Sequence, residues 1–257
     1  MAAPDRSDPL AVLAARPEAS AAAAAALAEI DALLWRRDVR AAAAEVAAAS
    51  VERGGRDSAA IDGADVAVVD SSPMGRVLEA ALRLTAEVPG QVEVFSVAPL
   101  QALAHLHAVA AHGLVGDDEL GRPRRGDLAD DPLNLGGMPT ARQAAARLAG
   151  LADVVTRPTQ APALVVAAIV HAEIASARPF TWGSGLLARA AVRLVLAARG
   201  VDPSLFSIPE HGVFEMGRPA YVAALRAYAT GTPSGVGDFI VWHSTALAMG
   251  AKAVVLP

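Results

Sequence analysis

The 257-residue sequence predicts an all-α protein. Three observations carry this expectation. Alanine, the strongest helix former, dominates the composition, and aromatic residues make up only 4%. Apolar residues recur at three-to-four spacing, while long alternating β-branched runs are scarce. The stretch 161–200 reads as an apolar helix, a tight turn at 178–185 and a second helix from about Leu186. Pro179 stops the first helix, because it lacks an N–H and restricts the residue before it.

Taken in order, residues 1–18 read as a loose tail with a short helix near 10–15, marked by Pro4, Pro9 and Pro17. Residues 19–37 form a helix whose stripe is Leu27, Ile30, Leu33 and Leu34. Another helix spans 39–53 and meets Gly54-Gly55. The apolar run 64–73 is a strand-like link or a helix start. Residues 73–88 form a helix with Val77, Leu78, Ala81, Leu82 and Leu84 inward, and Pro89-Gly90 breaks it. Pro99 suits the first position of a helix over 99–113. Residues 116–139 are a polar loop. Within it, Arg122, Arg124 and Arg125 read as a solvated cluster, with a phosphate or an acidic partner as the alternative. Thr140 caps a helix over 140–155. Residues 201–217 are a proline-containing loop, followed by helices at 219–228 and 236–255. Tyr221, Phe239 and Trp242 pack the last of these down.

Composition narrows the function. The length suits one domain, or one domain with an appended helical lobe. A hydrophobic content of 54% with 19% charged residues supports a sizeable core. The net charge of −5 argues against a general nucleic-acid binder. With no cysteine, disulfides, thiolate metal sites and cysteine nucleophiles are excluded. The start, MAAPDRSDPL, lacks the order of a secretory leader. No apolar run reaches the roughly 18 residues of a membrane helix. A cytoplasmic protein without nucleic-acid or membrane partners is expected. His105, His107 and His112 lie on one helix, but no acid repeats at ligand spacing, so no metal site is expected there.

The turn reads Arg178-Pro179-Phe180-Thr181-Trp182-Gly183-Ser184-Gly185-Leu186-Leu187-Ala188-Arg189. Its free backbone N–H groups at a helix start make a ready anion site. This segment resembles the signature of the Fic (Fido) family, HPFx(D/E)GNGRxxR, whose members usually transfer AMP from ATP to a target hydroxyl. Pro179, Phe180, Gly183, Gly185 and Arg189 match. Arg178 stands in place of the base histidine and Trp182 in place of the metal-binding acid. Ser184 replaces the asparagine and Leu186 the first arginine. His171 sits where the family often has a helix histidine, and Leu106-His107 resembles another family pair. The piece Ser58-Ala59-Ala60-Ile61-Asp62-Gly63 resembles the family's inhibitory helix, (S/T)xxxE(G/N), with Asp62 replacing the glutamate. On its own it also reads as a helix end followed by glycine.

The resemblance implies a Fic-like helical bundle with at most a short β-hairpin or irregular flap at 116–139. It divides the chain into a flexible tail (1–18), an N-terminal helical lobe with the inhibitory-like helix (19–98) and a degenerate Fic-like domain (99–257). It assigns anion or nucleotide binding to Arg178, Gly183, Ser184, Gly185 and Arg189, and an inhibitory-like role to Ser58, Asp62 and Gly63. Asp62 and Arg189 should form an ion pair, and Ser184 should cap the second helix if Asp62 fills the site. No catalytic residue is assigned, because a guanidinium does not act as a base and Mg²⁺ wants oxygen ligands. Three readings follow. One is a pseudoenzyme that keeps nucleotide or phosphate binding, with ATP or another nucleotide as the ligand. The second is a transferase of nucleotide or phosphate-containing groups that uses His171, Glu173, Glu210 or His211 instead. The third is an interaction protein for a protein partner or a second copy of the chain.

Overall fold

Pro9, Pro17, Pro73, Pro99, Pro209, Pro219 and Pro233 each sit in the first turn of a helix, where a missing N–H is harmless. The computed structural model describes residues 8–66 and 72–256. Among these residues it holds twelve α-helices and no strand. In order they are α1 (Pro9–Ala14), α2 (Pro17–Trp35), α3 (Arg37–Ala41), α4 (Ala43–Ile61), α5 (Pro73–Val97) and α6 (Pro99–Ala111). An irregular flap, 112–140, leads to α7 (Ala141–Thr156), α8 (Ala163–Ala177) and α9 (Ser184–Ala198). The chain continues through α10 (Pro209–Met216), α11 (Arg218–Ala229) and α12 (Pro233–Lys252).

Helices α8 and α9 are buried on nearly every side; α8 is apolar almost all round, while α9 also buries Arg189 and Arg193. They pack on each other, with α5 against α9 and α12 against α8. Around them α2 lies on α12, α4 on α5, and α10 on both α4 and α12. One core runs through the bundle. A smaller cluster of Ile30, Leu33, Val39, Val46, Phe206, Ile208, Ala251 and Val254 fills the end where α2, α4 and the 201–208 turn meet. None of the helices among the described residues is long and apolar enough to cross a membrane.

Several expectations are corrected by packing. Residues 8–18 are ordered, with helix at 9–14 and again from 17, and Asp8 is tied down by the Thr159 hydroxyl and the Gln160 N–H, at 2.8–2.9 Å. The tail before them, 1–7, lies outside the described residues, as does 67–71 of the apolar run 64–73. Pro89 does not break α5. A proline in a helix interior costs about 3 kcal/mol. Burial of Val88 and Phe95 contributes about 1.5–3 kcal/mol each, so α5 continues past it. Residues 209–216 are helix α10 rather than loop. Gly212 lets the α10 backbone press on α12, where a side chain would start 1.7 Å from Ala246 O.

Gly54-Gly55 does not end the helix before it, because α4 runs on to Ile61. The absent Gly54 side chain leaves room for a buried ion pair. A Cβ there would stand 2.3 Å from Arg193 Nη2 and 2.7 Å from Glu210 Oε2. Helix propensity favours alanine over glycine by about 1 kcal/mol. Overpacking costs about 1–3 kcal/mol, and disturbing a buried pair costs more. Arg193 and Glu210 are both 1% exposed and have nowhere to go. Gly54→Ala is therefore expected to lower stability by about 2 kcal/mol, seen as a lower urea midpoint. A raised midpoint would show that the pair moves aside freely.

Candidate functional site

Helix α8 ends at Arg178, whose backbone is left-handed (φ 45°, ψ 63°). Pro179 then turns the chain away. Phe180 is buried and stacks on the His107 ring with centroids 4.0 Å apart. His107 also clamps the turn by hydrogen bonds. The Gly121 N–H donates to its Nδ1 at 2.9 Å, so its proton sits on Nε2 and is donated to Trp182 O at 3.1 Å. Burial pushes the His107 pKa down to about 4, which keeps this neutral tautomer. His105 bonds instead to Glu87, at 2.8 Å.

Gly183 caps α9 with a positive φ of 74°, a conformation that favours glycine. Helix α9 starts at Ser184, two residues earlier than expected, so Gly185 lies within its first turn. Ser184 is not the cap. Its hydroxyl bridges back to Phe180, accepting that N–H at 3.3 Å and reaching its carbonyl at 3.4 Å, and so closes the turn.

The flap lies along this turn. Arg124 N–H donates to Pro179 O and Asp130 N–H to Thr181 O, both at 2.8 Å. The expectation of a solvated cluster fails for Arg124, which is buried. Its guanidinium donates to Arg178 O, Gly126 O and Pro139 O at 2.5–2.8 Å, while Arg122 and Arg125 stay exposed. Three otherwise unpaired carbonyls explain the burial. Arg178 turns into the flap as well. It lies 2.9 Å from Asp131 and donates to Gly136 O at 2.6 Å. A cavity of about 310 Å³ borders Thr181, Arg122 and Arg125, and one of about 80 Å³ borders Arg178, Ser176 and Gly136.

Two carboxylates meet the N-terminus of α9. From the end of α4, Asp62 lies 2.8 Å from Arg189, and both are buried, with side chains 7% and 1% exposed. Arg189 also donates to the Ser58 hydroxyl at 2.8 Å and to Ser58 O at 3.1 Å. The Asp62 oxygens stand 3.4 and 3.6 Å from the point where a Gly185 side chain would begin. Gly63 has a φ of 98° and ends the helical course after Asp62. From the flap, Asp130 Oδ2 accepts the Gly183 N–H at 3.0 Å. Burial, with Asp62 and Asp131 nearby, raises the Asp130 pKa to about 6 against the pull of Gly183 and Arg178. Sequence reasoning missed Asp130, and it reached Arg124 only as one of the basic cluster 122–125, since a short polar loop carries no motif for either role.

Beneath Arg189 the core is built of packed rings. His171 Nε2 lies 2.6 Å from the Tyr221 hydroxyl. Burial drives the His171 pKa well below 6.5 and the Tyr221 pKa up to about 12. The other residues considered for atypical chemistry are also held elsewhere. Glu173 accepts from Arg147 and Tyr228, Glu210 is paired with Arg193 at 2.8 Å, and His211 with Asp57 at 2.9 Å. None of the four hydrogen bonds to the 183–185 turn. Among the described residues, no cluster of three His, Asp or Glu side chains is arranged for a metal ion.

The architecture is a helical bundle built on a buried helix–turn–helix, with a flap strapped over the second helix's N-terminus. A scan against protein-family models finds no match, and neither does a sequence search of curated proteins. Solved structures do match. A Fic family protein from Desulfovibrio desulfuricans G20 aligns with a TM-score of 0.74 and 19% identity, covering 92% of this chain and 73% of that one. A fragment of Fic-1 from C. elegans aligns with a TM-score of 0.58 and 16% identity, covering 96% and 74%. The chain therefore has a Fic-like, all-α fold.

The Asp130 carboxyl has a consequence for stability. Its folded pKa lies above the ordinary 3.8, so the folded chain holds this proton more tightly than the unfolded chain does. Its contribution to stability is full below about pH 4 and is lost as pH rises through about 6. Asn at 130 keeps an acceptor for Gly183 and removes the charge. Between pH 4 and 7 the wild type is expected to lose about 2 kcal/mol more than Asp130→Asn, measured by urea unfolding. Equal pH slopes would contradict this.

Proposed function

We propose that the protein is a Fic-fold pseudoenzyme without AMP-transferase activity, whose phosphate-binding helix N-terminus is held shut by its own Asp62. The observation that carries this reading is the buried Asp62–Arg189 pair, 2.8 Å apart, lying over the first turn of α9. Arg189 is the last arginine of the signature-like segment, and a phosphate at the cradle would compete with Asp62 for it. The chemistry at the turn also supports inactivity. Loss of a general base typically costs about 10²–10⁴ in rate, and Arg178 is a permanent cation engaged with the flap. Trp182 brings no oxygen ligand for a phosphate-bridging Mg²⁺. The use of another base is disfavoured by the partners that hold His171, Glu173, Glu210 and His211. The protein is then a nucleotide-responsive regulator, with ATP or a related nucleotide as ligand.

A role in binding a protein partner, including a second copy, is favoured by one surface. Trp35 and Val255 are 75% and 69% exposed. Arg36 joins their neighbourhoods by donating to Val254 O at 2.8 Å.

Calorimetric titration with ATP and ADP tests the main reading. The wild type is expected to show little heat, Asp62→Ala to bind, and Asp62→Ala/Arg189→Ala to lose binding again. Asp62→Ala leaves a buried arginine unpaired and should cost about 3–5 kcal/mol of stability, so its helical circular dichroism is checked first. A folded Asp62→Ala protein that binds neither nucleotide would overturn the reading. Transfer of labelled AMP to any target by the wild type would overturn the claim of inactivity.

A further inference from the structure

The proposal above places one internal carboxylate at the α9 N-terminus, but the structure has two. We propose that Asp130 of the flap is a second, independent plug. A phosphate-bearing ligand then reaches the cradle only when flap residues 127–131 withdraw from the turn. This inference rests on the reading of α9 as a phosphate cradle.

The Gly183 amide is the contested group. It is the cap position of a fifteen-residue helix, and its single N–H is already donated to Asp130 Oδ2 at 3.0 Å. One N–H cannot serve a carboxylate and a phosphate together, so the two compete for the same place. Asp130 is also fixed from behind. Its own N–H donates to Thr181 O, and six residues upstream the Arg124 N–H donates to Pro179 O. The buried Arg124 guanidinium nails the same strap to Arg178 O and Pro139 O. Flap position and cradle occupancy are therefore one event.

A second observation points to a ligand. Asp62 Oδ1 and Arg189 Nη1 are buried, and neither has a hydrogen-bond partner among the described residues. Both face the first turn of α9, 3.6 and 3.5 Å from the point where a Gly185 side chain would start. Arg189 Nη1, which Asp62 leaves unused, also faces the place the helix offers to an anion, with the Tyr221 hydroxyl near the same guanidinium. Once Asp62 and Asp130 move away, Arg189 and the Gly183 amide are both free to take phosphate oxygens.

The charges around Asp130 make the plug responsive to pH. Facing it are Asp62 from α4, Asp131 from the flap, Arg178 from the end of α8 and the Gly183 amide of α9. Arg189 sits beyond Asp62, and Arg218 of α11 holds Pro132 O next to the pair of flap acids. The acids oppose ionisation of Asp130, and its pKa rises to about 6. A phosphate adds negative charge to the same spot, so its binding is coupled to proton uptake or to departure of the flap. Acidification through about pH 6 should ease entry.

Inorganic pyrophosphate titrated calorimetrically at pH 7.5 and 5.5 tests this, using the full chain as Asp62→Ala and as Asp62→Ala/Asp130→Ala. Hydrogen exchange at the Gly183 amide is followed in parallel in wild type and Asp130→Ala without ligand. The expected result is about tenfold tighter binding at pH 7.5 when Asp130 is also removed. The affinity gain of Asp62→Ala on acidification should disappear in the double variant. Gly183 exchange should quicken about tenfold in Asp130→Ala. If Asp62→Ala binds and removing Asp130 changes affinity by less than about twofold, the second plug is refuted while the cradle stands. Unchanged Gly183 exchange also refutes the plug. If no folded variant binds pyrophosphate, the cradle reading and the plug fall together.

Discussion

Arg189 is a permanent cation 1% exposed to solvent. A charge in that position must be matched or the fold does not survive. Asp62 and Ser58 supply the match, and both come from α4, more than a hundred residues away in sequence. One helical turn further on, Arg193 repeats the device with Ser50 and Glu210. Two arginines on one face of α9 thus clip α4 along its length. The α4–α9 register, and with it the position of Asp62 over the first turn of α9, follows from satisfying these two cations. Gly54 is glycine because the second clip passes through its side-chain space.

Arg189 divides an aromatic side from an ionic one. Behind Arg189 lie His171, Tyr221, Phe239 and His243, close-packed rings with His243 driven to a pKa of about 3 by burial. In front lie Asp62, Asp130 and Asp131, opposed by Arg178 and Arg189. The helix N-terminus faces the ionic side. The Gly183 amide at its start is met by Asp130 of the flap, and Asp62 lies against Gly185 in its first turn.

Much of this was legible in the sequence. The α8–turn–α9 unit follows from an apolar run, Pro179 and the two glycines, and the Fic-like fold follows from the matches around them. The Asp62–Arg189 pair was readable only through the resemblance of the Ser58–Gly63 piece to an inhibitory helix whose acid pairs with the last signature arginine. What remained hidden depends on contacts between distant segments. Pro89 and Gly54 look like breaks until Phe95 and the Arg193–Glu210 pair are packed around them. Residues 209–216 look like loop until Gly212 meets Ala246. Arg124 and Asp130 belong to a polar insert, and only the free carbonyls and amide of the 178–183 turn give them roles. The four-residue spacing of Arg189 and Arg193 was a usable signal for the double clip, since arginines in so apolar a helix need acceptors.

The account therefore stands on the coupling of Asp62 to Arg189, and a double-mutant cycle in urea reads it most directly. Asp62→Asn, Arg189→Met and the pair together are compared with wild type. If the carboxylate closes the cradle through Arg189, each single change should be strongly destabilising and the double change should cost much less than their sum. The expected coupling is about 2 kcal/mol or more, and additivity within about 0.5 kcal/mol would contradict the account.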